Sequence, residues 1–188
     1  MRLFAAVYPP ASAVADLTAR AAELRIATGA DARLADPAHL HLTLAFLGEV
    51  PDDRLVDVES TLGLAAQAFR DGRGSSPWLR LGGGGSFGQG RSTVLWVDVG
   101  GETEALDTLA RLVRDGLRRA ELPYDEKPFR AHLTIARPGD RVPGADVRAD
   151  REALHGYAGP NWPADELVLV RSHLGRRPRY RRLAAWPL

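Results

Sequence analysis

The sequence predicts an α+β protein built from two equivalent halves. Three observations predict it. First, His41-Leu42-Thr43-Leu44 returns as His132-Leu133-Thr134-Ile135, 91 residues later. Second, the same ungapped offset matches Pro37 with Pro128, Ala45 with Ala136, Gly48 with Gly139, and Leu3-Phe4-Ala5-Ala6 with Val94-Leu95-Trp96-Val97, so the repeat is a supersecondary unit rather than a chance tetrapeptide. Third, short apolar runs and helix-period segments follow one another in the same order in both halves, without strict βαβα alternation.

Leu3 to Tyr8 reads as a short buried strand stopped by Pro9-Pro10. Ser12 is placed to cap a helix that carries Val14, Leu17, Ala21 and Leu24 on one face, and Thr28-Gly29-Ala30 ends it. Pro37 holds Asp36 extended before a strand over His39 to Leu47, which Gly48 breaks. Pro51-Asp52-Asp53 opens a helix through about Phe69, and the segment from Asp71 to Pro77 is a loop. Trp78 to Leu81 is a strand, and the glycine-rich Gly82 to Gly90 reads as a flexible connection. In the second half, Thr93 to Val99 is a strand and Glu102 to Ala120 a helix that buries Leu106, Leu109, Leu112, Val113 and Leu117. Phe129 to Ala136 is the second motif strand, stopped by Pro138-Gly139. A helix over Arg148 to Leu154 and strands over Glu166 to Ser172 and Tyr180 to Trp186 complete the chain.

Length and composition narrow the function. The 188 residues suit one domain, or two small lobes sharing a core, and 45% hydrophobic residues suffice to bury one. A net charge of +1 argues against a general polyanion binder. Lys127 is the only lysine, and Arg offers a planar fork that matches phosphate, although arginine excess is also plain genome composition. With no cysteine, disulfides, thiol chemistry and cysteine-ligated zinc are excluded. The apolar run before Pro9 is too short for a signal peptide or a membrane span, so a cytoplasmic protein without a membrane is expected.

In a strand, alternate residues share a face. His41 and Thr43 therefore face one side and Leu42 and Leu44 the other, as do His132 and Thr134 against Leu133 and Ile135. Two such strands related by a pseudo-twofold bring two imidazoles and two hydroxyls into one cleft. Imidazole titrates near neutral pH, so a pair can hold one neutral and one protonated ring. One ring can take a proton from an attacking oxygen while the other gives one to the leaving oxygen, which suits chemistry at phosphorus. The threonine hydroxyls can hold non-bridging phosphate oxygens. His39 and Arg130 stand two residues before each histidine; strand parity would put them on the same face, with Arg130 as a phosphate clamp. Zinc is poorly served, because each motif supplies one histidine and no Asp, Glu or Cys. His155 and His173 have no repeat partner and read as surface or structural residues. The glycine stretch lacks the Gly-Lys-Ser/Thr ending of a nucleotide loop, and the C-terminal arginines Arg171, Arg176, Arg177, Arg179, Arg181 and Arg182 fit a nucleic-acid backbone or a solvated edge strand equally well.

Two His-x-Thr-x motifs about ninety residues apart resemble the 2H phosphoesterase superfamily. Further segments resemble its bacterial and archaeal RNA 2′,3′-cyclic phosphodiesterases, once named 2′-5′ RNA ligases. These are Met1 to Val7, His39 to Val50, Gly85-Ser86-Phe87 with Val94 to Val97, Phe129 to Arg137, Arg171 to Gly175, and Tyr180-Arg181. Two departures are Ala131, where that family usually has proline, and the absence of an aromatic residue in Ala32-Arg33-Leu34. The resemblance implies a single domain over residues 1–188 made of two interleaved lobes, one motif (41–44 and 132–135) in each. Each lobe would be an antiparallel sheet backed by helices, the two meeting in a V-shaped cleft. It implies a monomeric enzyme without metal or cofactor that opens RNA 2′,3′-cyclic phosphate ends to 2′-phosphomonoesters, with reversible 2′-5′ ligation as a further capacity. By analogy His132 is the proton acceptor and His41 the proton donor, although the near-equivalent halves do not themselves assign these roles. Thr43 and Thr134 would hold the phosphate with help from Arg130. Two alternatives stay open: another small phosphodiester (2′-5′ oligoadenylate, a cyclic nucleotide or ADP-ribose cyclic phosphate), or a nucleotide- or RNA-binding module without turnover.

Overall fold

In chain order the structure, a computed structural model, forms β1 (Arg2–Val7), α1 (Ala11–Ala22), α2 (Arg25–Thr28), β2 (Arg33–Leu34), β3 (Leu42–Glu49), α3 (Leu55–Arg73) and β4 (Trp78–Phe87). There follow β5 (Val94–Gly101), α4 (Thr103–Arg119), β6 (His132–Arg137), α5 (Gly144–His155), β7 (Ala158–Pro163), β8 (Glu166–His173) and β9 (Arg179–Pro187). The described residues are 1–28, 33–88, 92–138, 142–173, 175 and 179–188. The expected helix stop at Gly29-Ala30, the end of the glycine stretch at Gln89-Gly90, the strand stop at Gly139, and Leu174, Arg176 and Arg177 lie outside them.

One curled antiparallel sheet runs in the order β7-β4-β5-β6-β3-β1-β8-β9, with β2 paired to β6. The order is the same outward from the middle on both sides: β3, β1, β8, β9 on one, and β6, β5, β4, β7 on the other. The two motif strands meet at the centre. They share the pair Leu42↔Leu133, and further along β6 the pairing partner is β2, through Arg33↔Arg137 and Leu34↔Ala136. The sheet thus parts where the halves join, giving the two-lobed α+β fold expected from the sequence.

The helices cross between lobes. α4 follows β5 but packs with α3 behind β3, β8 and β9, while α1 follows β1 but packs behind β7, beside the lobe that α5 backs at β4 and β5. Helical periodicity explains the docking of α4: Ala105, Leu106, Leu109, Ala110, Val113 and Leu117 line one face and are buried. Gly116 lets α4 approach α3 closely, since a Cβ there would lie 2.9 Å from Thr61 Cγ2. Asp150, 1% exposed on α5, accepts hydrogen bonds from the Arg25 and Ile26 amides at 2.7 and 2.9 Å and so caps α2.

Several sequence expectations need correction. The first helix starts at Ala11 after an extended Pro10, so Ser12 lies inside it and makes no cap. Proline presets the backbone at a helix entrance without a side-chain acceptor. The glycine stretch is not a flexible link through Phe87; it is part of β4. Its glycines serve close packing, since a Cβ on Gly85 would sit 2.1 Å from the Trp96 ring and one on Gly84 2.5 Å from Leu154. β7 was not expected, because Ala158-Gly159-Pro160-Asn161-Trp162-Pro163 has no strand composition; as an edge strand it can carry two prolines. The motif strands begin at Leu42 and His132 rather than at His39 and Phe129.

Candidate active site

The strand registers place the motif side chains without reference to any ligand. Continuing the antiparallel register one residue either side of Leu42↔Leu133 sets Thr43 beside His132 and His41 beside Thr134, all on one face. The next strand out on each side extends both lines. Ala6 pairs with Thr43 and Tyr8 comes beside His41, while Asp98 pairs with His132 and Trp96 with Thr134. Two rows therefore cross the cleft, Asp98–His132–Thr43–Ala6 and Trp96–Thr134–His41–Tyr8. Cross-strand neighbours lie about 5 Å apart at Cβ, so the four motif side chains form one compact group.

These registers correct the ungapped repeat. β1 and β5 correspond at an offset of 90 residues (Ala6 with Trp96), and β3 and β6 at 91 (Thr43 with Thr134). The connection between the two strands differs by one residue, and a one-residue slip moves every side chain to the other face. Each motif strand also carries a register shift just past its threonine, between Ala5 and Ala6 in one half and between Leu95 and Trp96 in the other. The extra residues are Leu44 and Ile135, and the shift keeps the following Ala45 and Ala136 in the core. Phe46 is thereby turned to the cleft face, where it joins the small cluster of Phe4, Ala6, Val168 and Val170, and Arg137 is turned in the same way on β6.

Each imidazole is held by the same device. His41 Nδ1 meets the His39 carbonyl at 2.6 Å and His132 Nδ1 meets the Arg130 carbonyl at 2.8 Å. A carbonyl only accepts, so each Nδ1 carries a proton and each Nε2 is left for chemistry. His39 lies in a 3-10 turn and Arg130 precedes β6, so strand parity does not apply to either. What these two positions share is a carbonyl. The Arg130 side chain is exposed, its guanidinium 4.3 Å from the Trp96 ring centre and 5.5 Å from that of Phe87.

The surroundings of the rings differ. His41 stacks on Phe4 at 4.7 Å, with Tyr180 at 5.4 Å and Tyr8 at 5.7 Å. Burial pushes its proton affinity below the usual histidine value; the His39 carbonyl opposes this, and the charges of His39 and His132 add to the lowering. His132 meets Phe87 edge-on at 5.0 Å and Trp96 at 6.1 Å. Burial raises the Tyr8 phenol to about 12, against the pull of Arg182, whose guanidinium lies 5.6 Å over the ring.

The structure thus brings together His41, Thr43, His132 and Thr134, with Arg130 at the rim. Sequence parity missed Tyr8, Phe87, Trp96 and Tyr180 as neighbours of the rings and Asp98 as the strand partner of His132; for Tyr8, Trp96 and Asp98 the signal was present in the repeat, one residue out of step. His155 and His173 are exposed, and among the described residues no three His, Cys, Asp or Glu side chains gather as metal ligands do. No helix among them is long and apolar enough to cross a membrane.

Known proteins resemble the chain in both sequence and fold. The chain is 33% identical over 153 residues to the RNA 2′,3′-cyclic phosphodiesterase of Geobacillus stearothermophilus, a match covering 79% of the chain and 45% of that protein's length. It is 33% identical to the RNA 2′,3′-cyclic phosphodiesterase of Thermus thermophilus over 184 residues, 93% of the chain and 83% of that protein. Escherichia coli LigT, crystallised with NADP+, superposes with a TM-score of 0.69 at 28% identity, covering 100% of this chain and 96% of the other. Its complex with 3′-AMP superposes at 0.64 with 29% identity, covering 100% and 97%. A family model described as the 2′-5′ RNA ligase superfamily matches residues 9–176, and the chain belongs to that superfamily.

Proposed function

We propose that the protein is a monomeric RNA 2′,3′-cyclic phosphodiesterase that works by paired histidine acid–base catalysis. One observation carries the reading: two imidazoles, each with Nδ1 tied to a backbone carbonyl, stand on one face of the sheet with a threonine beside each. The names of the relatives and the nucleotides bound by LigT support the substrate class.

In this reading the cyclic phosphate lies between the two Nε2 atoms. One Nε2 takes a proton from water as its oxygen bonds to phosphorus. The bond from phosphorus to the 3′ oxygen breaks, and the other Nε2 delivers a proton to that oxygen, leaving a 2′-phosphomonoester. The Thr43 and Thr134 hydroxyls donate to the non-bridging oxygens, where charge builds, and Arg130 reaches in from the rim. Neither step asks for a metal. A 5′-hydroxyl in place of water runs the same chemistry as 2′-5′ joining.

The family analogy makes His132 the base and His41 the acid. Burial of His41 disfavours its protonated form in the free enzyme. An anionic phosphodiester close to both rings works the other way and loads the acid as substrate binds.

The test is hydrolysis of a short RNA ending in a 2′,3′-cyclic phosphate, in EDTA, beside His41→Ala and His132→Ala. A 2′-phosphate product that is lost in both variants is the expected result. Near-wild-type rates in either variant sink the two-histidine mechanism.

A further inference from the structure

The motif constellation has local twofold symmetry, and a symmetric constellation cannot by itself orient an asymmetric nucleotide. That task falls to the nearest residues that break the symmetry. They are the cross-strand neighbours of the two histidines, Tyr8 beside His41 and Asp98 beside His132, which occupy corresponding places 90 residues apart.

Asp98 is the unexpected one. Val97 and Val99 point into the core, so Asp98 points to the cleft, where it is half-buried. A carboxylate beside a phosphate site repels the phosphate, so its place there calls for a partner that donates hydrogen bonds. Its Oδ1 accepts the Val99 amide at 3.0 Å. An ionised carboxylate has about four acceptor sites, so this uses a fraction of its capacity. Across from it Gly82 pairs with Asp98, and the space a side chain would take at Gly82 and Gly85 is filled by the Tyr157 carbonyl and the Trp96 ring, so no side chain of that strand competes for the carboxylate. A half-buried carboxylate with spare acceptor sites, on the strand beside His132, fits a base that presents hydrogen-bond donors.

We propose that Asp98 is a specificity-determining residue that accepts the N1–H and N2–H of a guanine base on the nucleotide bearing the cyclic phosphate. Guanine presents two parallel donors on one edge for the two carboxylate oxygens. Adenine and cytosine set an acceptor beside their donor, and uracil flanks its single donor with carbonyls. This inference rests on the phosphodiesterase reading above.

The experiment compares kcat/KM for the 2′,3′-cyclic phosphates of guanosine, inosine, adenosine, cytidine and uridine in the wild type, Asp98→Asn and Asp98→Ala, with thermal melts to confirm folding. The wild type should favour guanosine, with inosine, which lacks the N2 amine, in between. Both variants should lose roughly 10- to 100-fold on guanosine, mainly through KM, the range expected for one bidentate base contact; the pyrimidines should change little. A flat wild-type ranking, or an equal loss on all five, overturns the assignment. If none of the five is turned over, the phosphodiesterase reading fails separately. Calorimetric binding of 2′-GMP against 2′-AMP then still decides the role of Asp98, and equal affinities overturn it.

Discussion

At the residue scale the two histidines share a hydrogen bond but not an environment. Replacing either by alanine should lower kcat about 10²- to 10⁴-fold while the melting curve stays near wild type, because both rings are cleft-facing and outside the main core. The desolvated His41 also carries a pH signature. Its folded-state affinity for protons lies below the ordinary histidine value of 6.5, so the unfolded chain binds more protons in that range. The stability this residue contributes is complete above 6.5 and falls away as pH drops through the lowered midpoint. Histidine NMR titration of the free protein should place the His41 midpoint below 6.5; a midpoint above it would show that burial does not dominate. If His41 is the acid, the basic limb of kcat/KM, a free-enzyme quantity, should lie at lower pH than that of kcat. Coincident limbs would remove the argument that substrate loads the acid.

At the scale of elements, short-range packing holds the cleft in shape. The carboxylate of Asp150 joins α5 to the first amides of α2, and Asp150→Ala strands two buried donors. A loss of roughly 1–3 kcal/mol in urea unfolding is expected, and a change below about 0.5 kcal/mol would mean that water replaces the carboxylate. Gly85 lies under Trp96, and a methyl there overlaps the indole. Gly85→Ala should destabilise by roughly 1–3 kcal/mol and disturb the near-ultraviolet circular dichroism of the tryptophan. An unchanged spectrum and stability would show that β4 can move away. The register shifts at Leu44 and Ile135 act at the same scale, since they let a polar, cleft-facing stretch and a buried stretch follow one another in one short strand.

At the scale of the whole molecule, α1 and α4 each pack away from the strand they follow, α1 behind β7 and α4 behind β3. Each lobe's core is completed by residues from the other half of the chain: Leu106, Leu109 and Val113 behind β3, and Leu17 on α1 behind the lobe of β7. Unfolding should therefore be a single transition, with tryptophan fluorescence and far-ultraviolet circular dichroism tracing coincident curves in urea. Fragments cut between β4 and β5 should be unstructured alone. Two separate transitions, or a folded fragment, would mean that each lobe holds its own core.

The sequence alone determined the α+β class, the duplication and the four side chains at its centre. These rest on local rules: helix period, strand alternation, and a motif that repeats because the same local geometry is built twice. Arg130 was legible as a neighbour of His132, but its reach over Trp96 was not. Tertiary structure decided what depends on partners distant in the chain. It made β4 out of a glycine stretch, because Trp96 and Leu154 occupy the space that side chains would need. It made β7 out of a proline-containing segment, because an edge strand needs few amide donors. It crossed the helices between the lobes. It also slipped the repeat by one residue in β1 and β5, setting Tyr8 beside one histidine and Asp98 beside the other. Register is a relation between strands, and no single strand carries it in its own sequence.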